Sequence, residues 1–262
     1  MPYLARDGAR IYYETHGAGP ALLFAHGLGG NHLSWWQQVP HFRERYTCVV
    51  FAHRGFWPSE DTPDGPHPEA FVDDLAALID RLGYDDVRLV GQSMGGWSCL
   101  GYALREPGRV RALVMADTPG VLAPDEEELA ELERLDAASA DLFARGIHPA
   151  AGGRLAREQP ALHHLYKAVN DLSPHLDKLA LRTRLHDLRT TPPETVAALC
   201  PPLLCLWGEE DTVIPRRSVE RLAAFVPGAR LETVSRAGHS VYWERPDVFN
   251  RLVEGFLSGV EQ

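Results

Sequence analysis

Short runs of consecutive apolar residues recur along the chain: ALLFAH from Ala21, YTCVVFA from Tyr46, DVRLVG from Asp86, VRALVMA from Val110 and PLLCLWG from Pro202. Unbroken hydrophobicity over so few residues is the mark of a strand covered on both faces, as in a parallel sheet. Between these runs lie helical or turn segments of crossover length, so the alternation predicts an α/β class with a mostly parallel sheet. Before the first run, RIYYE reads as the second arm of a hairpin, and the Gly17 to Pro20 stretch between them as a turn. ARLETVS from Ala229 predicts one more strand.

The rhythm changes between Asp117 and about Pro201. Strand-like runs vanish there, and DEEELAELERLDAASADLFAR and ALHHLYKAVNDL space Leu, Ala and aromatic residues as helices do. We therefore expect residues 1–118 and 200–262 to build the core, and residues 119–199 to form a helical cap inserted into it. The acidic run Asp125 to Glu128 suits a solvated first helical turn, where carboxylates complement the dipole. At the C-terminus, Val248, Leu252, Val253 and Phe256 predict an apolar stripe that packs on the sheet.

With 262 residues, 45% of them hydrophobic, the chain suffices for one large core with an insertion and not for two ordinary domains. A net charge of −10 disfavours polyphosphate backbones and anionic lipid surfaces, so neither nucleic acid nor membrane is an expected partner. The charged N-terminal MPYLARDGAR does not read as a signal peptide, and no apolar stretch is long enough to span a bilayer, which predicts a soluble cytoplasmic protein. Cys48, Cys99, Cys200 and Cys205 sit in apolar contexts without CxxC spacing and are expected as reduced thiols. His53, His148, His163, His164 and His186 lack the spacing of metal ligands, so no metal site is expected.

Gly91-Gln92-Ser93-Met94-Gly95 follows one strand-like run and precedes a helix-like stretch. That context holds a serine at a strained elbow, with glycines letting the turn close. Among 23 glycines a chance match to this pattern is expected about one time in ten, so position is what gives it weight. A serine hydroxyl is a poor nucleophile without a histidine base, and the base needs an acid to set its tautomer. Asp211 follows the PLLCLW run and His239 the RLETVS run, each at the C-terminal strand ends where open α/β sheets gather their sites. Glu209, Glu210 and especially Asp117 are rival acids.

The order serine, acid, histidine resembles that of the α/β-hydrolases, and four motifs carry the resemblance over nearly the whole chain. His26-Gly27-Leu28-Gly29 is similar to the family's oxyanion loop, GQSMGG to its elbow, GEEDTVIP to its acid loop and AGHSVYWERP to its histidine loop. The resemblance implies an α/β-hydrolase fold, a Ser93, Asp211 and His239 triad, and an oxyanion hole formed by the backbone N–H groups of Leu28 and Met94. His26 is expected to shape its loop rather than to serve as a second base. One departure stands at Ala52 to Ser59, where relatives often read Asp-x-Arg-Gly-x-Gly-x-Ser and Trp57 replaces a glycine.

Aromatic residues near these loops suit an apolar ligand, and Trp35, Trp57, Trp97 and Tyr242 are the candidate pocket walls. The expected function is cofactor-free hydrolysis of a small, largely apolar ester or lactone. Enol-lactonases, small carboxylesterases and meta-cleavage-product hydrolases share the pattern, so C–C hydrolysis, perhydrolysis and a hydrolase-like ligand sensor stay open as alternatives. A C–C hydrolase must hold a carboxylate, for which Arg54 and Arg182 are the candidate arginines.

Overall fold

The structure is a computed structural model that describes residues 2–261. Eight strands form one sheet in the order β1-β2-β4-β3-β5-β6-β7-β8: β1 Tyr3–Arg6, β2 Ala9–His16, β3 Ala21–Ala25, β4 Thr47–Phe51, β5 Val87–Gln92, β6 Val110–Ala116, β7 Leu203–Gly208 and β8 Arg230–Val234. The pairs β1·β2 and β2·β4 are antiparallel, and every later pair is parallel. The hairpin, each apolar run and the mostly parallel sheet therefore fold as expected.

Both faces of the sheet are covered, which is why its strands read as continuous hydrophobic runs. Leu23, Val49, Leu89, Leu113 and Cys205 point to one face, and Leu22, Phe24, Val50, Val90, Val114 and Leu204 to the other. On the first face lie α2 Phe71–Leu82, α3 Gly95–Arg105 and α9 Arg216–Phe225; on the second lie α1 Val39–Phe42 and α11 Pro246–Val260. The buried stripe of α11 is Phe249, Val253, Phe256 and Leu257, while Val248 and Leu252 are only partly covered at its edge. The stripe thus sits slightly around the helix from the expected one, because the sheet meets the face that carries the larger Phe249.

Five α-helices, one short 3-10 helix at Pro149–Ala151 and no strand occupy the described stretch between β6 and β7; the α-helices are α4 Glu126–Ala144, α5 Gly152–Glu158, α6 Pro160–Asn170, α7 Lys178–Asp187 and α8 Pro193–Leu199. Their path leaves and returns through a narrow neck, where Ala123 N–H donates to Thr191 O at 2.9 Å and Thr191 N–H to Val121 O at 3.1 Å. Beyond the neck, α8 buries Val196 in the core beneath the sheet. The remaining helix, α10 Val241–Glu244, follows β8.

The acidic run at the start of α4 is not simply a solvated turn. Asp125 caps the helix by accepting Glu128 N–H at 2.9 Å, and Glu126 and Glu127 are exposed. Glu128, however, is fully buried. Its Oε1 accepts from Arg189 Nη2 at 2.5 Å and Ser218 Oγ at 2.7 Å, and its Oε2 from Arg221 Nη1 at 2.6 Å. The carboxylate joins α4 to α9 and to the neck, since Arg189 Nε also donates to Leu122 O at 3.0 Å. Removing one partner of such a buried pair costs more than the pair contributes, because the other charge is left desolvated. We predict that Glu128→Ala lowers unfolding free energy by about 3 kcal/mol, read from urea unfolding midpoints, whereas Glu127→Ala changes it by less than about 0.5 kcal/mol.

Candidate active site

Ser93 occupies the sharp turn between β5 and α3 with φ +49, a left-handed conformation that costs a non-glycine residue about 1–3 kcal/mol. Its neighbours explain how the turn is tolerated. A Cβ on Gly95 would lie 2.0 Å from Ala25 O, and one on Gly91 2.9 Å from Gly95 O, so only glycine lets α3 start this close to β3 and β5. The turn is secured by Ser93 N–H donating to Ala116 O at 3.0 Å and Gly96 N–H donating to Ser93 O at 2.8 Å.

The acid and histidine loops meet beside it. His239 Nδ1 lies 2.9 Å from Asp211 Oδ2, and both side chains are buried. Asp211 Oδ1 accepts Val213 N–H at 2.7 Å and Ile214 N–H at 3.0 Å, which fixes the carboxylate plane. With a carboxylate on Nδ1, the imidazole carries its proton there and leaves Nε2 as the basic nitrogen. Among the described residues, Ser93 Oγ makes no hydrogen bond to His239. The two loops are tied instead through Gln92, whose Nε2 donates to His239 O at 2.9 Å.

The loop after β3 completes the arrangement. Neither Leu28 N–H nor Met94 N–H donates a hydrogen bond among the described residues. His26 is fully buried: it accepts His53 N–H on Nε2 at 2.9 Å, so its Nδ1–H donates to Gly27 O at 2.8 Å. Burial holds His26 down to about 3 and His53 well below the ordinary imidazole range, so both rings are neutral. His53 Nε2 lies 3.1 Å from Ser98 Oγ, which links this loop to α3. His26 therefore braces its loop, and His53 is a member of that brace which the local sequence did not reveal.

Two more carboxyls surround the histidine loop. Asp117, the rival acid, is fully buried at φ +51 and accepts Gly208 N–H at 2.8 Å; burial, and next the charge of Asp211, push it well above the usual carboxylate range. It contacts the loops' backbone, while Asp211 holds the imidazole. Glu244 accepts Gly238 N–H at 3.0 Å and is pushed up to about 8, chiefly by burial. Glu244 lies within the histidine-loop motif, but the motif did not single it out, because its partner is a backbone amide.

The candidate pocket walls separate. Tyr242 lines a cavity of about 10 Å³ beside Gly27, Leu28 and Gln92, roofed by Tyr166 and Asn170 of α6. Trp97 packs in a cluster with Met94 and Leu28, its Nε1 donating to Leu185 O at 2.7 Å. Trp35 is sealed in the core, 4.6 Å from the Tyr242 ring centroid, so it acts on the site only through Tyr242. Trp57 is exposed on the surface, 5.7 Å from the His32 ring. A larger cleft of about 210 Å³ borders Arg154, Arg236 and Glu244 behind the histidine loop, away from Ser93 and Leu28. No group of His, Cys, Asp and Glu among the described residues is arranged to hold a metal ion, and no described helix is long and apolar enough to cross a membrane.

Glu244 has a raised pKa in the folded chain, so between about 4.5 and 8 the folded state binds more protons than the unfolded one. Its linkage therefore lowers stability as pH rises through that window. Glu244→Gln keeps the acceptor for Gly238 N–H and removes the titration. We predict that the variant loses less stability than the wild type between pH 5 and pH 8, by about 3 kcal/mol in urea unfolding.

A family model described as alpha/beta hydrolase fold matches residues 20–157 and 133–246. The putative carbamate hydrolase RutD of Caulobacter sp. is 30% identical over 268 residues, spanning 95% of this chain and 96% of the relative. The 2-hydroxymuconate semialdehyde hydrolase of Pseudomonas putida is 30% identical over 270 residues, spanning 96% and 92%. The solved N-acyl homoserine lactone degrading enzyme Est816 superimposes with a TM-score of 0.81 at 27% identity, covering 97% of this chain and 100% of that one. The chain belongs to the α/β-hydrolase fold family.

Proposed function

We propose that the chain is a serine hydrolase that cleaves a small, largely apolar carboxylic ester or lactone through an acyl-enzyme, with residues 119–199 as its cap. The observation that carries the reading is the Asp211 and His239 pair at 2.9 Å, set beside a serine held at φ +49. His239 Nε2 takes the proton of Ser93 as Oγ attacks the substrate carbonyl, and Asp211 stabilises the imidazolium that forms. The unengaged N–H groups of Leu28 and Met94 receive the oxyanion, a contribution typically worth about 10²- to 10³-fold in rate. His239 then returns the proton to the leaving oxygen, and water releases the acid by the reverse sequence. Nucleophile, base and electrostatic stabilisation all come from the chain, so the reaction needs no cofactor.

The cavity of about 10 Å³ beside Gly27 and Leu28 has about the volume of a single water, and neither Ser93 nor His239 is among its lining residues. Between α6 and the loop after β3, Asn31 Nδ2 donates to Val169 O at 3.4 Å.

Ester or lactone hydrolysis is favoured over C–C cleavage by the state of the two candidate arginines. Arg54 is buried and spends Nε and Nη2 on Asp74, both at 2.6 Å. Arg182 pairs with Asp136 on the exposed outer side at 2.9 Å. Neither is free to hold a dienoate carboxylate.

Initial rates on p-nitrophenyl acetate, butyrate and octanoate, compared with Ser93→Ala, test this reading. We expect turnover that favours acetate and butyrate over octanoate, loss of it in Ser93→Ala, and a kcat about 10³- to 10⁴-fold lower in Asp211→Asn, which misplaces the imidazole proton. Turnover that survives Ser93→Ala would refute the mechanism; no turnover by the wild type, joined to ligand-dependent partner binding, would move the assignment to a sensor.

A further inference from the structure

Helix α6 ends on Asn170, whose side chain is pressed against the loop after β3. The residue is 4% exposed and lines the small cavity with Gly27, Leu28 and Tyr166. A Cβ placed on Gly29 would meet Asn170 Oδ1 at 2.3 Å and Nδ2 at 2.4 Å, so the amide lies flat on that glycine.

The orientation of the amide follows from its partners. Lys178 Nζ lies 2.7 Å from Asn170 Oδ1 and 2.8 Å from Asn170 O, and an ammonium has only donors, so the oxygen of the amide must face it. Oδ1 is thus claimed by Lys178. Nδ2, with two N–H donors, has no acceptor among the described residues although the residue is almost wholly buried. Capping the carbonyl end of α6 explains the bond from Lys178 to Asn170 O, but it does not account for an amide turned so that its nitrogen is left free of any described acceptor on a residue that lines the cavity.

We propose that Asn170 Nδ2 is a specificity-determining donor, selecting substrates that carry a hydrogen-bond-accepting oxygen in the acyl chain within a few bonds of the scissile carbonyl, and that Lys178 is the positioning residue for its amide. The short reach follows from Gly29 being the chain neighbour of Leu28, whose N–H would hold the oxyanion. This proposal rests on the acyl-enzyme reading above.

p-Nitrophenyl methoxyacetate and p-nitrophenyl butyrate have the same chain length and differ by one ether oxygen in place of a methylene. Their kcat/KM ratio, compared between wild type and variant, cancels the intrinsic reactivity of the esters. Asn170→Leu removes the donor; Asn170→Asp also removes it, while keeping the size of the side chain and a partner for Lys178. We expect the ratio to fall about tenfold in both. Lys178→Met should lower it in part, and Lys178→Arg should restore it. A ratio unchanged within about twofold in the folded Asn170 variants overturns the proposal. Calorimetric titration of the same two esters into Ser93→Ala, with and without Asn170→Asp, reads a Kd ratio without turnover. If the wild type fails to hydrolyse either ester, the acyl-enzyme reading falls, and that Kd ratio decides the role of Asn170 on its own.

Discussion

The close approach of α3 to β3 is the contact on which the site depends. Gly95 packs where any side chain would run into Ala25 O, so the helix begins directly over the end of the strand. That proximity forces Ser93 into a left-handed turn and brings Met94 N–H beside the loop that starts at His26, one residue after Ala25. The cost of the turn is offset by what α3 buries, including Cys99, Leu100 and Tyr102 in the first core face. Strain at the serine is thus held in place by ordinary packing several residues away.

Around the histidine, three buried carboxyls are distinguished by their partners rather than by residue type. Asp211 faces two backbone N–H groups on one oxygen and the imidazole on the other. Asp117 has one short backbone bond from Gly208 and a longer one of 3.5 Å from Val241, and Glu244 has its bond from Gly238. Where few donors offset desolvation the neutral form is favoured, so Asp117 and Glu244 are pushed up. The two protonatable neighbours then support the histidine loop without placing full charges next to Asp211.

Much of this arrangement was legible along the chain, and the reason is locality. A strand buried on both faces writes itself as a short apolar run, and the elbow, acid and histidine loops are each defined within a few residues. What escaped notice depends on partners far away in sequence. Glu128 reads like its exposed neighbours Glu126 and Glu127 because Arg189 and Arg221 lie 61 and 93 positions on. Asn170 gives no local sign of meeting Gly29, nor His53 of meeting His26. Among the tryptophans, residue type predicted a wall for each, whereas packing sealed Trp35, wedged Trp97 beside Leu28 and left Trp57 outside. In the expected stripe of α11 a small rotation was enough to exchange Val248 and Leu252 for Phe249 and Leu257.

The neck formed by Val121, Ala123 and Thr191 bears on how freely the inserted stretch can vary. Because the chain departs and rejoins within hydrogen-bonding distance, the stretch between Ala123 and Thr191 contributes no strand to the sheet and leaves its register untouched. Such a stretch can change in length with little cost in loop closure for each doubling, provided Glu128 keeps Ser218 and Arg221 of α9 as its partners. What changes with it is the roof over the small cavity, formed by Tyr166 and Asn170, while the strands and the loops at their ends stay as they are.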